Sequence, residues 1–193
     1  MAKTLGGEDK AEGPARTQDA ADQALSSAGL AQARAVKGPP PVHLWNPPFC
    51  GDLDMRITRD GTWIHEGRPI TRHPLVQLFG AILKREGADY MLVTPVEKVR
   101  ILVEDVPFIA IDVDHAEGGF TFTTNLGDRV TAGPDNPLEM RGDVPYLHIR
   151  RDLWARIDRK TFYRLAAALE EEGGRSGIRS LGQFFPLESI SAE

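Results

Sequence analysis

The same succession of short elements is written twice in this chain, and that repetition limits its folds more than any other feature. ITRDGTWIHEGRPITRHPL at 57–75 and FTTNLGDRVTAGPDNPL at 122–138 both run strand, turn, strand, turn, Pro-Leu. Runs of apolar and β-branched residues around Asp60-Gly61 or Asn125 to Asp128 read as hairpins, because such turns need backbone that Gly, Asn and Asp tolerate. With 193 residues there is room for two units of this size. The pattern predicts an α+β fold of two similar subdomains in pseudo-duplication, antiparallel sheets each with a packed helix. The first spans 42–115 and the second 116–193, behind an N-terminal tail at 1–41 that is disordered or loosely docked. The seam between two such units is where a cleft should form.

In the first unit, a two-residue type I′ turn at Asp60-Gly61 sets Ile57 opposite Ile64 and Thr58 opposite Trp63. Met55, Ile57 and Ile64 then share the core face, and Arg56, Thr58, Trp63 and His65 the other. Glu66-Gly67 returns the chain to Pro69 and Ile70. Leu75, Leu78, Phe79, Ile82 and Leu83 follow helical spacing after Pro74, with Gly87 as the stop. Tyr90 to Thr94 and Lys98 to Val103 are two more strands, and Phe108 to Val113 leads out of the unit.

In the second unit, strands are expected on both sides of Asn125 to Asp128, over Val144 to Arg150, and on through Asp152 to Ile157 with a bend. Asp158 is placed to cap a helix with Phe162, Leu165, Ala166 and Leu169 on one face, ending at Gly173-Gly174. GIRSLGQFFPL reads as a final strand.

Residues 1–41 carry only Leu5, Leu25, Leu30 and Val36 as larger aliphatics, too few to fold alone. Asp19 to Val36 is Ala-rich and predicts at most a marginal helix that needs docking. Trp45 and Phe49, among the prolines of GPPPVHLWNPPFCGD, are expected to pin this segment to the body.

A net charge of -5 argues against a nucleic-acid coat, so nucleic acid is not the expected partner. No run of about 18 apolar residues is present to span a bilayer. The single cysteine, Cys50, cannot form an internal disulfide, and MAKTLGGEDK has no apolar leader core, so a cytoplasmic location is expected. No cofactor or metal is expected: HExxH, paired CxxC, Walker and GxSxG patterns are all missing. The Asp112, Asp114, His115 cluster is expected to be a solvated strand end.

The ligand candidates are side chains that could meet at the seam. Trp63 could stack on a base, with His65 beside it for a phosphate. Arg72, just before a helix N-terminus, suits a carboxylate or phosphate. Glu97, Asn125 and Asp128 lie in turns of different halves and could take ribose or base edges. Tyr146 and Arg150 are expected on one side of a strand. Each has a structural alternative, as packing, turn former or ion-pair partner. The expected ligand is a small anionic or nucleotide-like molecule. The other classes kept open are a hydrolase or transferase using Glu97, Asp128 or His65 on a phosphorylated metabolite, and a protein-interaction module with unknown partner.

WNPPFCG, DGTWIHEGRPI, LVQLF, YMLVTPVEK and FTTNLGD together resemble the bacterial Domain of Unknown Function 1285 family across about residues 42 to 190. Trp45, Cys50, Gly51, Asp60, Gly61, Trp63, Arg72, Thr94, Pro95, Glu97, Asn125 and Asp128 carry the likeness. The resemblance implies two domains of duplicated design, the C-terminal one superficially pleckstrin-homology-like. It also implies a ligand site at the domain interface, for a nucleotide-like molecule, and a role in signal transduction. No activity is established for that family.

Overall fold

Strand order is the clearest record of the duplication. In a computed structural model, which describes residues 25–36 and 38–188, the first half contains β1 (Phe49–Ile57), β2 (Trp63–His65), β3 (Arg68–Pro69), β4 (Leu83–Glu86), β5 (Asp89–Val93) and β6 (Lys98–Val103). They form one sheet in the order 3-2-1-6-5-4. The second half contains β7 (Phe108–Ala116), β8 (Gly119–Thr124), β9 (Arg129–Thr131), β10 (Leu138–Arg141), β11 (Val144–Arg150) and β12 (Leu153–Ile157). Counted from β7, its sheet has the same order, 10-11-12-7-8-9. Each is two antiparallel three-strand meanders joined by one parallel pair, β1 with β6 and β12 with β7. The sheets are therefore mixed rather than purely antiparallel, because the last strand of each unit returns beside its first.

The duplication is real, but the two repeated strings are one hairpin out of step. Asp60-Gly61 joins the first and second strands of its unit, whereas Asn125 to Asp128 joins the second and third. β7, expected to lead out of the first unit, is the first strand of the second sheet.

Three helices accompany the sheets: α1 (Ser27–Ala35), α2 (His73–Ala81) and α3 (Arg159–Ala166). Leu25, Leu30 and Ala33 are buried in the common core, so the α1 segment is docked. The remainder of the tail expected to be disordered, 1–24, lies outside the described residues. α2 ends at Ala81, not at Gly87. Leu83 pairs with Leu92, and Gly87, at φ +61, belongs to the turn between Glu86 and Asp89. Ile82 and Leu83 are fully buried either way, which is why spacing alone did not separate a longer helix from a helix and strand.

α3 starts where expected, with the Asp158 carboxylate accepting from the Thr161 N–H at 2.7 Å. It ends earlier, since Gly173-Gly174 is a hairpin turn with both φ values positive. That turn joins β13 (Glu170–Glu172) to β14 (Arg175–Ser180), and β15 (Gln183–Pro186) completes a third, three-stranded sheet. Ser180 sews this sheet to the second: its hydroxyl donates to the Ala132 carbonyl at 2.7 Å and accepts from the Phe120 N–H at 2.9 Å.

Candidate functional site

The turn between β8 and β9 meets α2 at the seam, and the local sequence explains its shape. Thr124 Oγ1 accepts from the N–H groups of Leu126 (3.3 Å) and Asp128 (3.0 Å), while Gly127 supplies φ +91. So braced, the turn presses Leu126 onto Gly80 of α2; a Cβ on Gly80 would lie 2.4 Å from Leu126 Cδ1. Gln77, one helical turn before Ala81, donates Nε2–H to the Leu126 carbonyl at 3.0 Å.

On one side of Leu126 lies a cavity of 580 Å³, within the range of small-molecule sites. Its walls come from four parts of the chain: Gly38 to Pro40; Gln77, Gly80 and Ala81 of α2; Leu126 to Asp128; and Arg150 and Arg151 at the end of β11. Arg150 bridges the halves, donating Nη1–H to Asp128 and Nη2–H to the Gly80 carbonyl, each at 2.8 Å. Its guanidinium also lies 4.9 Å from the Phe108 ring centre. Arg151 occupies left-handed backbone (φ 52) in the β11–β12 turn and donates to His43 Nδ1 at 2.8 Å. Burial, and then repulsion from Arg150, push its pKa down. Two arginines and one aspartate therefore line the cavity.

On the other side of Leu126 is a smaller compartment of 210 Å³, walled by the first hairpin, the start of α2 and Asn125. Asn125 stands in for a strand residue: its N–H donates to the Ile109 carbonyl at 2.8 Å and its Oδ1 accepts from the Ile109 N–H at 3.0 Å.

The expected candidates do not form one site. Asp128 and Arg150 line the larger cavity, and Trp63 and Asn125 the smaller. Trp63 and His65 are not an exposed platform: they are 1% and 4% exposed, on the core face with Met55 and Ile57. The hairpin has a three-residue loop closed by Thr58 N–H to Thr62 carbonyl at 3.0 Å, with Gly61 at φ +83 and Asp60 bonded to the Thr58 hydroxyl. One added residue in the loop moves every side chain of the strand to the opposite face. Trp63 instead stacks near Phe79, with ring centres 5.9 Å apart.

Arg72 is the N-cap residue of α2 as expected, though Leu75 and Val76 both return their N–H groups to its carbonyl and Pro74 has none. That first turn has few donors to offer an anion. Glu97 is engaged away from the seam cavities: its carboxylate accepts from the Ser26 N–H at 2.7 Å and from the Ser26 hydroxyl, fastening the start of α1. Tyr146 is separated from Arg150. A bulge between His148 and Arg150 leaves Tyr146 opposite Arg156 but Arg150 opposite Leu153, on different faces of β12. Tyr146 donates to Asp105, in the linker between the sheets, at 3.0 Å.

Of the expected strand-end cluster, Asp112 pairs with Arg164, Asp114 with Arg129 at 3.5 Å, and His115 stacks on Phe120. Among the described residues no three His, Cys, Asp or Glu side chains gather as a metal site. No helix among them is long and apolar enough to cross a membrane.

Gln77, Arg151 and the Gly38 to Pro40 wall were missed by sequence reasoning. Gln77 had a signal, as the lone polar residue in LVQLFGAIL. Arg151 had none, because nothing in the sequence sets it apart from the other arginines spread over 141–164.

Fold and site define a duplicated α+β protein with paired cavities between its halves. The chain matches the models of both domains of one family: the N-terminal domain of the domain of unknown function DUF1285 over 40–106, and the DUF1285 C-terminal domain over 107–187. The chain belongs to the DUF1285 family. It is similar to the crystal structure of a DUF1285 family protein from Silicibacter pomeroyi DSS-3, at 54% identity and TM-score 0.77, covering 83% of this chain and 94% of that one. A DUF1285 family protein from Shewanella baltica OS155 is 28% identical with TM-score 0.52, covering 60% of this chain and 91% of that one. No functionally curated protein matches.

Proposed function

We propose that the protein is a binding module for a small anion with an apolar or planar body, a nucleotide-like molecule being the leading class, seated in the larger seam cavity. The observation that carries this reading is the excess of positive charge there: Arg150 is answered by Asp128, while the guanidinium of Arg151, an exposed residue lining the same cavity, has only His43 as its hydrogen-bond partner among the described residues. A phosphate or carboxylate would complete that balance. Pro39, Pro40, Ala81 and Leu126 offer the apolar surface for the remainder of the ligand. A signalling role, which the family resemblance implies, would follow from ligand binding rather than from turnover.

The catalytic alternative has less support. Asp128 is bonded to Arg150, Glu97 to Ser26, and His65 lies in the core of the first sheet, so the three share no hydrogen-bonding centre. Thermal-shift screening of the full chain against AMP, other nucleotides and inorganic phosphate tests the binding reading. A saturable rise in Tm for an anionic ligand is expected, and no rise with any of them contradicts it.

A further inference from the structure

Besides its charged groups, the larger cavity has one neutral polar side chain in its lining, Gln77. A backbone carbonyl only accepts, so the Gln77 atom that meets the Leu126 carbonyl at 3.0 Å is Nε2, and this contact orients the amide. Oε1, on the other arm of the amide, takes no hydrogen bond among the described residues, and one of the two Nε2 hydrogens is left over. Asp128, the other side-chain acceptor in the lining, is taken by Arg150 and the Thr124 hydroxyl. Gln77 therefore holds the one uncommitted side-chain acceptor of the cavity. Beside it the wall is bare backbone: Gly127 has φ +91, and a Cβ there would stand 3.4 Å from Nε2.

The same two elements carry both polar ends of the cavity. Leu126 and Gln77 make an amide end, while Asp128 and the Gly80 carbonyl, each further along its own element, hold Arg150 at a cationic end. We infer that Gln77 reads the base of the ligand and that this base is a 6-aminopurine. The inference rests on the anion reading of the cavity and adds the group that lies away from the charge. Adenine offers an exocyclic N–H donor beside a ring-nitrogen acceptor, a pair that a glutamine amide meets with its oxygen and one N–H together. Pro39, Pro40 and Ala81 supply apolar surface for the faces of the base. A purine without the amine leaves Oε1 unpaired, and a site built to bond an N–H rejects the analogue that lacks it.

The test is calorimetric titration of the full chain with AMP and with purine riboside 5′-monophosphate, which keeps the ribose and phosphate and lacks only the 6-amino group. AMP should bind at least tenfold more tightly. In Gln77→Met, which keeps the length of the side chain and removes its polar atoms, the two should bind within about twofold of each other. If Gln77 only braced the β8–β9 turn, its loss would weaken both ligands alike and leave their ratio standing. Equal affinities in the wild-type protein overturn the inference while leaving the anion reading intact, and so does a tenfold preference that survives in Gln77→Met. Binding of neither nucleotide overturns the anion reading, and this inference with it. The wild-type comparison needs no variant, so it decides even where Gln77→Met lowers stability.

Discussion

Arg150 reaches across the seam to the carbonyl of Gly80, 2.8 Å away, while its other terminal nitrogen holds Asp128 in its own half. One guanidinium thus fixes the distance between the last turn of α2 and the β8–β9 turn, the two walls of the larger cavity. Arg150→Ala leaves a part-buried carboxylate and a helix-end carbonyl without their donor, and should cost about 1–3 kcal/mol. Urea denaturation checks the loss, and a shift of midpoint with little change in slope is expected.

The tie between Ser26 and Glu97 holds only the N-terminal helix. Ser26→Ala removes the side-chain cap to the Gly29 N–H and one bond to Glu97, costing about 1 kcal/mol. Because α1 is joined to the body at few polar points, the expected outcome is local: faster hydrogen exchange over 25–36 with the sheets unchanged.

Gly177→Ala should damage the third sheet. A Cβ there would stand 2.3 Å from the Phe185 carbonyl oxygen, a backbone atom that cannot swing aside. Overpacking of this kind costs about 1–3 kcal/mol, and Tm should fall accordingly.

The acid side of the stability profile should carry a contribution from Glu86. Its hydrogen bonds to Lys84 and Lys98, at 2.8 and 2.7 Å, hold its carboxyl below the ordinary value of 4.5. A depressed folded value means stability that is complete above the unfolded pKa and lost as pH falls through the folded one. The pair is partly exposed, so the contribution is under about 1 kcal/mol. Glu86→Gln should remove it at neutral pH and flatten the decline below pH 4.5, as read from denaturation midpoints.

Tyr146 acts on the alkaline side. Burial first, then its bond to the Asp105 carboxylate, raises its pKa above 10.0. A raised folded value gives stability present below the unfolded pKa and lost as pH climbs through the folded one. Tyr146→Phe should cost about 1.5–3 kcal/mol at neutral pH, the worth of a hydrogen bond to a charged group, and reduce the alkaline loss. Arg156, whose Nε stays 3.8 Å from Asp105, is too far to replace that bond.

The duplicated plan was legible because hairpins leave local marks: Asp60-Gly61, Glu66-Gly67 and the Asp158 cap are all written within a few residues. Trp63 and His65 show where local marks fail. A Gly suits both a two-residue and a three-residue loop, and only the bonding of Thr58 to Thr62 selects between them. Leu83 to Glu86 became a strand because β5 follows directly to pair with it, and the Gly87 that turns this hairpin suits a helix stop equally well. Glu97 looked available because its partner is remote: Ser26, at the start of α1 and 71 residues away, takes its carboxylate. Asp128 and Arg150 could be named as candidates from sequence, while the bulge that parts Arg150 from Tyr146 could not be seen.

Calorimetric titration of AMP into the full chain and into Arg151→Ala tests the seam site most directly. The wild-type protein should bind with one site per chain, and the variant should lose at least tenfold in affinity while keeping its Tm within a few degrees. Absence of binding by the wild-type protein, or equal affinity in the two, would contradict the assignment of this cavity to an anionic ligand.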